Sequence, residues 1–325
     1  MGRPEGRGFW LAALLLAGWL LGPPAFAAGG DPLPRISCEG SLSALAATLY
    51  TTGLSGPDGL AFDPTGMLHV AQESAGAVSA ISATGVVSDV LTGLSSPEGI
   101  AFAPDGALYV VEDVQNGRLL RRDAQGTVSP LATGLDAPEG VVWHPDGHVY
   151  LTESTAQFSG GNPLNLRSHV TRVSDAGAVT RILTRTLTVS LAGLTVAGDG
   201  LLYATNEASG TSFITSSVFQ VEPQSGANTV VVSDLSAPEG LRFGAGDAAL
   251  YVVEEDTGGG AGRLLALDGS GAIAGTCTGF FNLEDVAVDG LGALYVSEDG
   301  SGSVIRLAAP GFTLYLPTIP LAAGQ

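Results

Sequence analysis

Short apolar runs recur along this chain, each followed by a Pro/Asp/Gly-type turn and then a second apolar run. Six phrases open the repeats: Pro57-Asp58-Gly59, Pro97-Glu98-Gly99, Pro138-Glu139-Gly140, Leu191-Ala192-Gly193, Pro238-Glu239-Gly240 and Leu283-Glu284-Asp285. The answering runs include Leu108-Tyr109-Val110-Val111 and Leu294-Tyr295-Val296-Ser297. A repeat of about 40 to 53 residues made only of short strands is the signature of a β-propeller, one blade per repeat. The pattern therefore predicts an all-β fold, a six-bladed β-propeller.

The second repeat serves as template. It predicts strands over Gly99–Ala103, Ala107–Glu112, Arg118–Asp123 and Thr127–Ala132, with turns at Pro104-Asp105-Gly106, Asn116-Gly117 and Gln125-Gly126. The sixth repeat has three such segments, ending at Val304–Leu307, and lacks a fourth. The strand-like segment Leu45–Tyr50 precedes any complete repeat and resembles a fourth strand. It is expected to supply the missing outer strand of the sixth blade and so close the ring, removing exposed edges. Insertions around Thr155–Ser168 and Ala208–Ser217 are expected as long loops between second and third strands. The apolar tail from Phe312 to Pro320 lies outside the repeat, as an extra outer strand or a recognition tail.

The N-terminus reads as a targeting segment. Arg3 and Arg7 precede an apolar stretch from Phe9 to Leu21, and Ala25-Phe26-Ala27 offers a cleavage site. The expected organisation is a signal peptide over 1–27, an N-terminal segment over 28–43, the propeller over 44–309 and a tail over 310–325. The protein is then exported, secreted or periplasmic, without a transmembrane anchor. Export makes a disulfide between Cys38 and Cys277 the expected state of the two cysteines.

Charge narrows the function classes. The formal net charge is −19, and cleavage would remove Arg3, Glu5 and Arg7, taking it to −20 (−19 less the +1 they carry). All 13 basic residues are Arg. Schiff-base and P-loop lysine chemistry are therefore excluded, and nucleic acid is a poor partner because binding it rests on cationic neutralisation of phosphates. No nucleophile elbow and no His-Glu-x-x-His motif is present. His69 takes a place held elsewhere by Tyr109, Tyr150, Tyr203, Tyr251 and Tyr295, which reads as packing. His144 and His148 flank a turn on the far face. Only His169, bracketed by Arg167 and Arg172, could reach the acidic side.

The residue before the glycine of each opening phrase is copied around the axis. That ring is Asp58, Glu98, Glu139, Ala192, Glu239 and Glu284. A second column at the end of the next strand is Gln72, Glu112, Glu153, Asn206, Glu254 and Glu298. A third is Glu73, Asp113, Ser154, Glu207, Glu255 and Asp299, expected as a solvated face. Ring carboxylates at ~6 Å in an effective dielectric near 20 repel by about 3 kcal/mol per adjacent pair. A hard cation with oxygen ligands relieves this, and without a Cys/His cluster Ca²⁺ suits better than Zn²⁺. Asp58, Glu98, Glu139, Glu239 and Glu284 are the candidate metal ligands. The alternative is that duplication copied a turn residue that simply faces water.

The stretch from Leu94 to Arg118 resembles the NHL-repeat consensus, and Pro138-Glu139-Gly140-Val141-Val142-Trp143 resembles the opening motif of the SMP-30/gluconolactonase family. The resemblance spans about Leu45 to Leu307. It implies a divalent cation, often Ca²⁺, held on the axis by a Glu, an Asn and an Asp at this same position. Glu139 matches the family Glu. The remaining column carries Asp58, Glu98, Glu239 and Glu284 but no Asn, and Ala192 at one blade.

The sequence thus leads to an exported, monomeric propeller that binds a divalent cation and a small molecule or protein on its acidic axial face. The runner-up is a metal-dependent lactone or ester hydrolase, with Glu139 or Glu239 activating water. A metal-free structural surface protein is the third reading.

Overall fold

The computed structural model describes residues 31–159, 162–186, 189–208, 215–255 and 258–310. The expected signal peptide, the C-terminal tail and the middle of the fourth-repeat insertion lie outside these. Strands β1 (Ser37–Gly40) and β2 (Ala46–Thr52) precede the first blade. Blade one comprises β3 (Pro57–Phe62), β4 (Leu68–Gln72), β5 (Ala77–Ile81) and β6 (Val87–Thr92). Blade two comprises β7 (Pro97–Phe102), β8 (Leu108–Glu112), β9 (Gln115–Arg122) and β10 (Val128–Asp136). Blade three holds β11 (Pro138–Trp143), β12 (Val149–Ser159), β13 (Asn162–Val173) and β14 (Val179–Thr186). Blade four holds β15 (Val189–Val196), β16 (Leu202–Ala208), β17 (Ser216–Val221) and β18 (Asn228–Leu235). Blade five is β19 (Pro238–Phe243), β20 (Leu250–Glu254), β21 (Ala261–Leu267) and β22 (Ile273–Phe281); blade six is β23 (Leu283–Val288), β24 (Leu294–Glu298) and β25 (Ser303–Ala308).

The first strands of successive blades touch in a closed cycle, with β23 returning to β3. β2 pairs antiparallel with β25, so the N-terminal segment completes blade six as the repeat pattern requires. The second strand of a blade lies between two neighbours and is buried on both faces, as Leu108–Glu112 shows; it therefore reads as a continuous apolar run rather than an alternating one. Among the described residues, six hydrophobic clusters sit one between each pair of consecutive blades. The tyrosine column packs these joints. Tyr203 meets Phe243 edge-on at 4.9 Å, and Tyr295 meets Tyr50 within blade six (5.0 Å) and Phe62 across the seam to blade one (5.3 Å). His69 packs on Phe102 at 4.8 Å in the same role.

Two features depart from the sequence reading. β1 adds a fifth, outer strand to blade five, with Cys38 directly opposite Cys277 and bonded to it. Its brevity and its Cys-Glu-Gly sequence give little strand signal. The third-repeat insertion forms no loop: β12 and β13 simply run on as a long hairpin, pairing out to Ser159 and Asn162. Main-chain pairing in register satisfies its backbone groups, which a long loop would leave to water.

Candidate active site at the axial mouth

A bulge aims the ring. In blade two Pro97 faces Glu112 and Ile100 faces Val110, so Glu98 and Gly99 together oppose Val111. The same two-against-one step recurs in every blade, at Pro57/Leu60, Pro138/Val141, Leu191/Leu194, Pro238/Leu241 and Leu283/Val286. A bulge of this kind bends the strand and re-aims one side chain. The glycine that follows lets neighbouring strands close in: a Cβ at Gly99 would collide with the Glu139 carbonyl, and one at Gly140 with that of Ala192.

At one end of the channel Asp58, Glu139, Ala192, Glu239 and Glu284 line a cavity of about 40 Å³. That space suits an ion with a water or two, whereas a small-molecule pocket needs about 300 Å³ or more. A ligand larger than an ion does not fit within the ring itself. Glu98 does not line this cavity. It shares a hydrogen bond with Asp113 of the third column, and its Oε2 is buried without a nitrogen or hydroxyl donor. Across the sector where Ala192 offers only a methyl, Glu139 and Glu239 hydrogen-bond to each other. Each such carboxyl pair requires a shared proton.

Burial and mutual repulsion push the ring carboxyls upward. Glu139 rises to about 8, chiefly by burial and then by Asp113, and Glu284 to about 10, by burial and then by Asp58. Asp58, Glu98 and Glu239 are also raised well above the carboxylate range, with burial the largest cause in each. Among the described residues, no arginine forms an ion pair with them. The second column is different. Glu112 Oε1 accepts from Ser95 N (2.9 Å) and Arg118 Nη2 (2.7 Å). Glu153 accepts from Asp136 N (2.8 Å) and Arg181 (3.2 Å), and Glu254 from Ser236 N (2.7 Å) and Arg263. Glu298 takes Phe281 N (2.8 Å) and Arg35 (2.6 Å). These buried carboxylates clamp the loop entering each blade and each has its own arginine. They are structural.

The third column is a solvated face only in part: Glu73 and Asp299 are exposed, whereas Asp113, Glu207 and Glu255 are half-buried. Asp113 joins Glu98, and Glu207 and Glu255 stand beside ring residue Glu239 with carboxylate oxygens all within 4.8 Å of one another. Among the described residues this is the one group of three acidic side chains that close. An all-oxygen donor set of three carboxylates fits a hard divalent cation. His169 is buried against Thr184 (3.0 Å), and His144 contacts the Gly200 carbonyl (2.8 Å); neither belongs to the ring.

Two residues of the channel escaped the sequence reading. Asp285 stands where five blades have glycine. Its carboxylate accepts from Leu60 N (2.9 Å) and Val286 N (2.7 Å), so blade six grips blade one. Arg242, the one basic residue lining the cavity, occupies a strand position filled elsewhere by Ala61, Ala101, Val142, Thr195 and Ala287, and it opposes the upward push of burial on Asp285. Arg242 also lines a second cavity, of about 270 Å³, together with Phe62, Phe102 and Trp143. The signals were an Asp for a Gly and an Arg in an otherwise uncharged column. Asp285→Ala should strip Leu60 N of its acceptor, costing about 2 kcal/mol as for a buried donor left unpaired. Urea titration of the variant checks this; an unchanged midpoint would mean the seam does not depend on Asp285.

Solved structures with this architecture carry several chemistries. A gluconolactonase of Xanthomonas campestris superposes with a TM-score of 0.69 at 16% identity, covering 87% of this chain and 98% of that one. The PQQ-bound aldose sugar dehydrogenase of Streptomyces coelicolor gives 0.60 at 17% identity, covering 85% and 99%. A streptogramin B lyase gives 0.57 at 13% identity, covering 81% and 97%. The chain has the six-bladed fold of the gluconolactonase structures. No protein-family model matches the sequence, and no curated protein matches it. Among the described residues, no helix is long and apolar enough to cross a membrane.

Proposed function

We propose that the protein is an exported, divalent-cation-dependent hydrolase of lactones or related esters, acting at the axial mouth. One observation carries this reading: the ring is not uniform. Glu139 and Glu239 meet across Ala192, Glu98 turns aside, and Glu239 joins Glu207 and Glu255 in a compact oxygen set. A tuned site breaks the symmetry of its repeat, whereas a copied turn residue keeps it. The likeness to the gluconolactonase structure agrees with this but rests on fold, which hosts many activities.

Glu207, Glu239 and Glu255 would hold the cation, with Ca²⁺ the best match to their chemistry. Bound there it supplies Lewis acidity toward a carbonyl oxygen. Glu139 is the carboxylate beside this group that is placed to take a proton from water. The cavity holds no more than an ion and a water or two, which leaves the substrate above the ring. A panel of lactones and aryl esters, assayed with millimolar Ca²⁺ and after chelation, tests the reading. Cation-dependent turnover is expected, lost by more than tenfold in Glu139→Gln. If Ca²⁺ raises the melting temperature while no substrate turns over, the protein is a cation-dependent binding propeller.

A further inference from the structure

Blade four enters the ring differently from the other five. Two residues before the ring position, Gly56, Ser96, Ala137, Ala237 and Asn282 all have left-handed backbone, with φ between 41° and 61°. Their carbonyls accept the next column's N–H, as Gly56 does from Glu73 N at 2.7 Å. Ser190, at the same place in blade four, keeps the strand going and pairs with Glu207. Its hydroxyl is thereby turned toward the ring. Ser190 Oγ lies 3.3 Å from Glu139 Oε2 and 3.1 Å from Ser154 Oγ. Ser154 Oγ accepts from Leu191 N at 2.9 Å and lies 3.3 Å from Ser168 Oγ, to which it donates. The Ser190 proton thus has two acceptors, both at long range, and can rotate to a third.

Blade four is also where the ring lacks its carboxylate. Ala192 is fully buried and uncharged, and Thr152 pins its carbonyl at 2.6 Å. In this sector a ligand oxygen above the ring meets a methyl between the hydrogen-bonded Glu139 and Glu239, whereas at each of the other five blades a carboxyl stands at the ring position. We propose that this sector is a subsite for the carbonyl oxygen of a neutral lactone, with Ser190 Oγ–H donating to it and Ala192 leaving the space. Ser190 is then a specificity-determining residue that touches substrate and takes no part in holding the cation. The inference rests on the hydrolase reading and names where its substrate docks.

The test uses the full-length exported protein in millimolar Ca²⁺, with calorimetric binding of D-glucono-δ-lactam, an unreactive carbonyl analogue, beside lactone turnover. Ser190→Ala should weaken lactam binding about tenfold, the worth of one good hydrogen bond, and raise KM for lactone more than it lowers kcat. Ser190→Thr keeps the hydroxyl and should restore most of both. Ala192→Glu restores the sixth carboxylate and should abolish lactam binding while the Ca²⁺-induced rise in melting temperature persists. Wild-type affinity in Ser190→Ala, or retained binding in Ala192→Glu, overturns the subsite while turnover by the wild type leaves the hydrolase reading standing. A wild type that neither binds lactam nor turns over lactone, yet melts higher in Ca²⁺, defeats both.

Discussion

In chelator, the protein should lose stability steadily as pH rises from about 4.5 toward 8, and millimolar Ca²⁺ should abolish most of that loss. Glu139 titrates near 8 in the fold and Glu284 near 10, against 4.5 for an ordinary glutamate. Between those values the folded chain holds protons that the unfolded chain has released. Folding then becomes less favourable with each rise in pH, by about 1.4 kcal/mol per pH unit for each such carboxyl. The stabilisation is full below 4.5; for Glu139 it is spent near pH 8 and for Glu284 near pH 10. Asp58, Glu98 and Glu239 shift in the same direction and steepen the slope. Asp146, held down to about 2, acts oppositely, losing its contribution only as pH falls below 3.8 toward 2.

A divalent cation binds the ionised carboxylates, so its effect grows as they deprotonate. Binding to the folded state alone adds about 2.7 kcal/mol at a hundredfold excess over Kd. The double variant Glu139→Gln, Glu239→Gln should melt higher than wild type in chelator at pH 8, and should show no gain on adding Ca²⁺. Melting curves from pH 5 to 8, with and without Ca²⁺, check all three statements. A wild type with flat, superimposable curves would remove the cation from the account.

The fold was legible because each blade is read twice over, once as an apolar run buried on both faces and once as a turn before it. The ring was legible for the same reason: a bulge repeated six times aims the same position at the axis. What the repeat could not tell was the fate of each copy. Glu112, Glu153, Glu254 and Glu298 form in sequence a second acidic column on the same face as the ring, but each meets an arginine from elsewhere: Arg118 and Arg263 on third strands, Arg181 on an outer strand, Arg35 before the first blade. Those pairings depend on side-chain reach across strands, and no column of the alignment of repeats contains them. Glu98 turns to Asp113 for a similar reason, since the shared proton removes one charge from the crowd. Ser190 was hidden by length. Its blade enters as a longer strand, so the residue that faces the axis lies in what the repeat assigns to a loop.

Replacing both cysteines should lower the melting temperature more than any single surface change, although the ring is already closed by hydrogen bonds. Cys38 and Cys277 are 239 residues apart, so the bond forbids nearly all of the open conformations of the unfolded chain. The chain-entropy relation puts that constraint at about 5 kcal/mol, an upper figure because unfolded chains keep some structure. In a propeller of this size that is a fall of roughly 10 °C. The location sharpens the expectation. β1 and β2 are adjacent in sequence, yet β1 is the outer edge of blade five and β2 that of blade six, so one short segment ties the blade that closes the ring to its neighbour. Arg35 adds a second tie there, on the Gly279 carbonyl and Glu298 and over the Phe281 ring at 4.6 Å. The variant Cys38→Ser, Cys277→Ser should therefore lose hydrogen-exchange protection first in β1 and β22, with β2 and blades two to four holding longer. Reduction of the wild type should reproduce the pattern. If the variant melts with the wild type and exchanges uniformly, β2 and the inter-blade packing close the ring unaided and the bond contributes nothing to it.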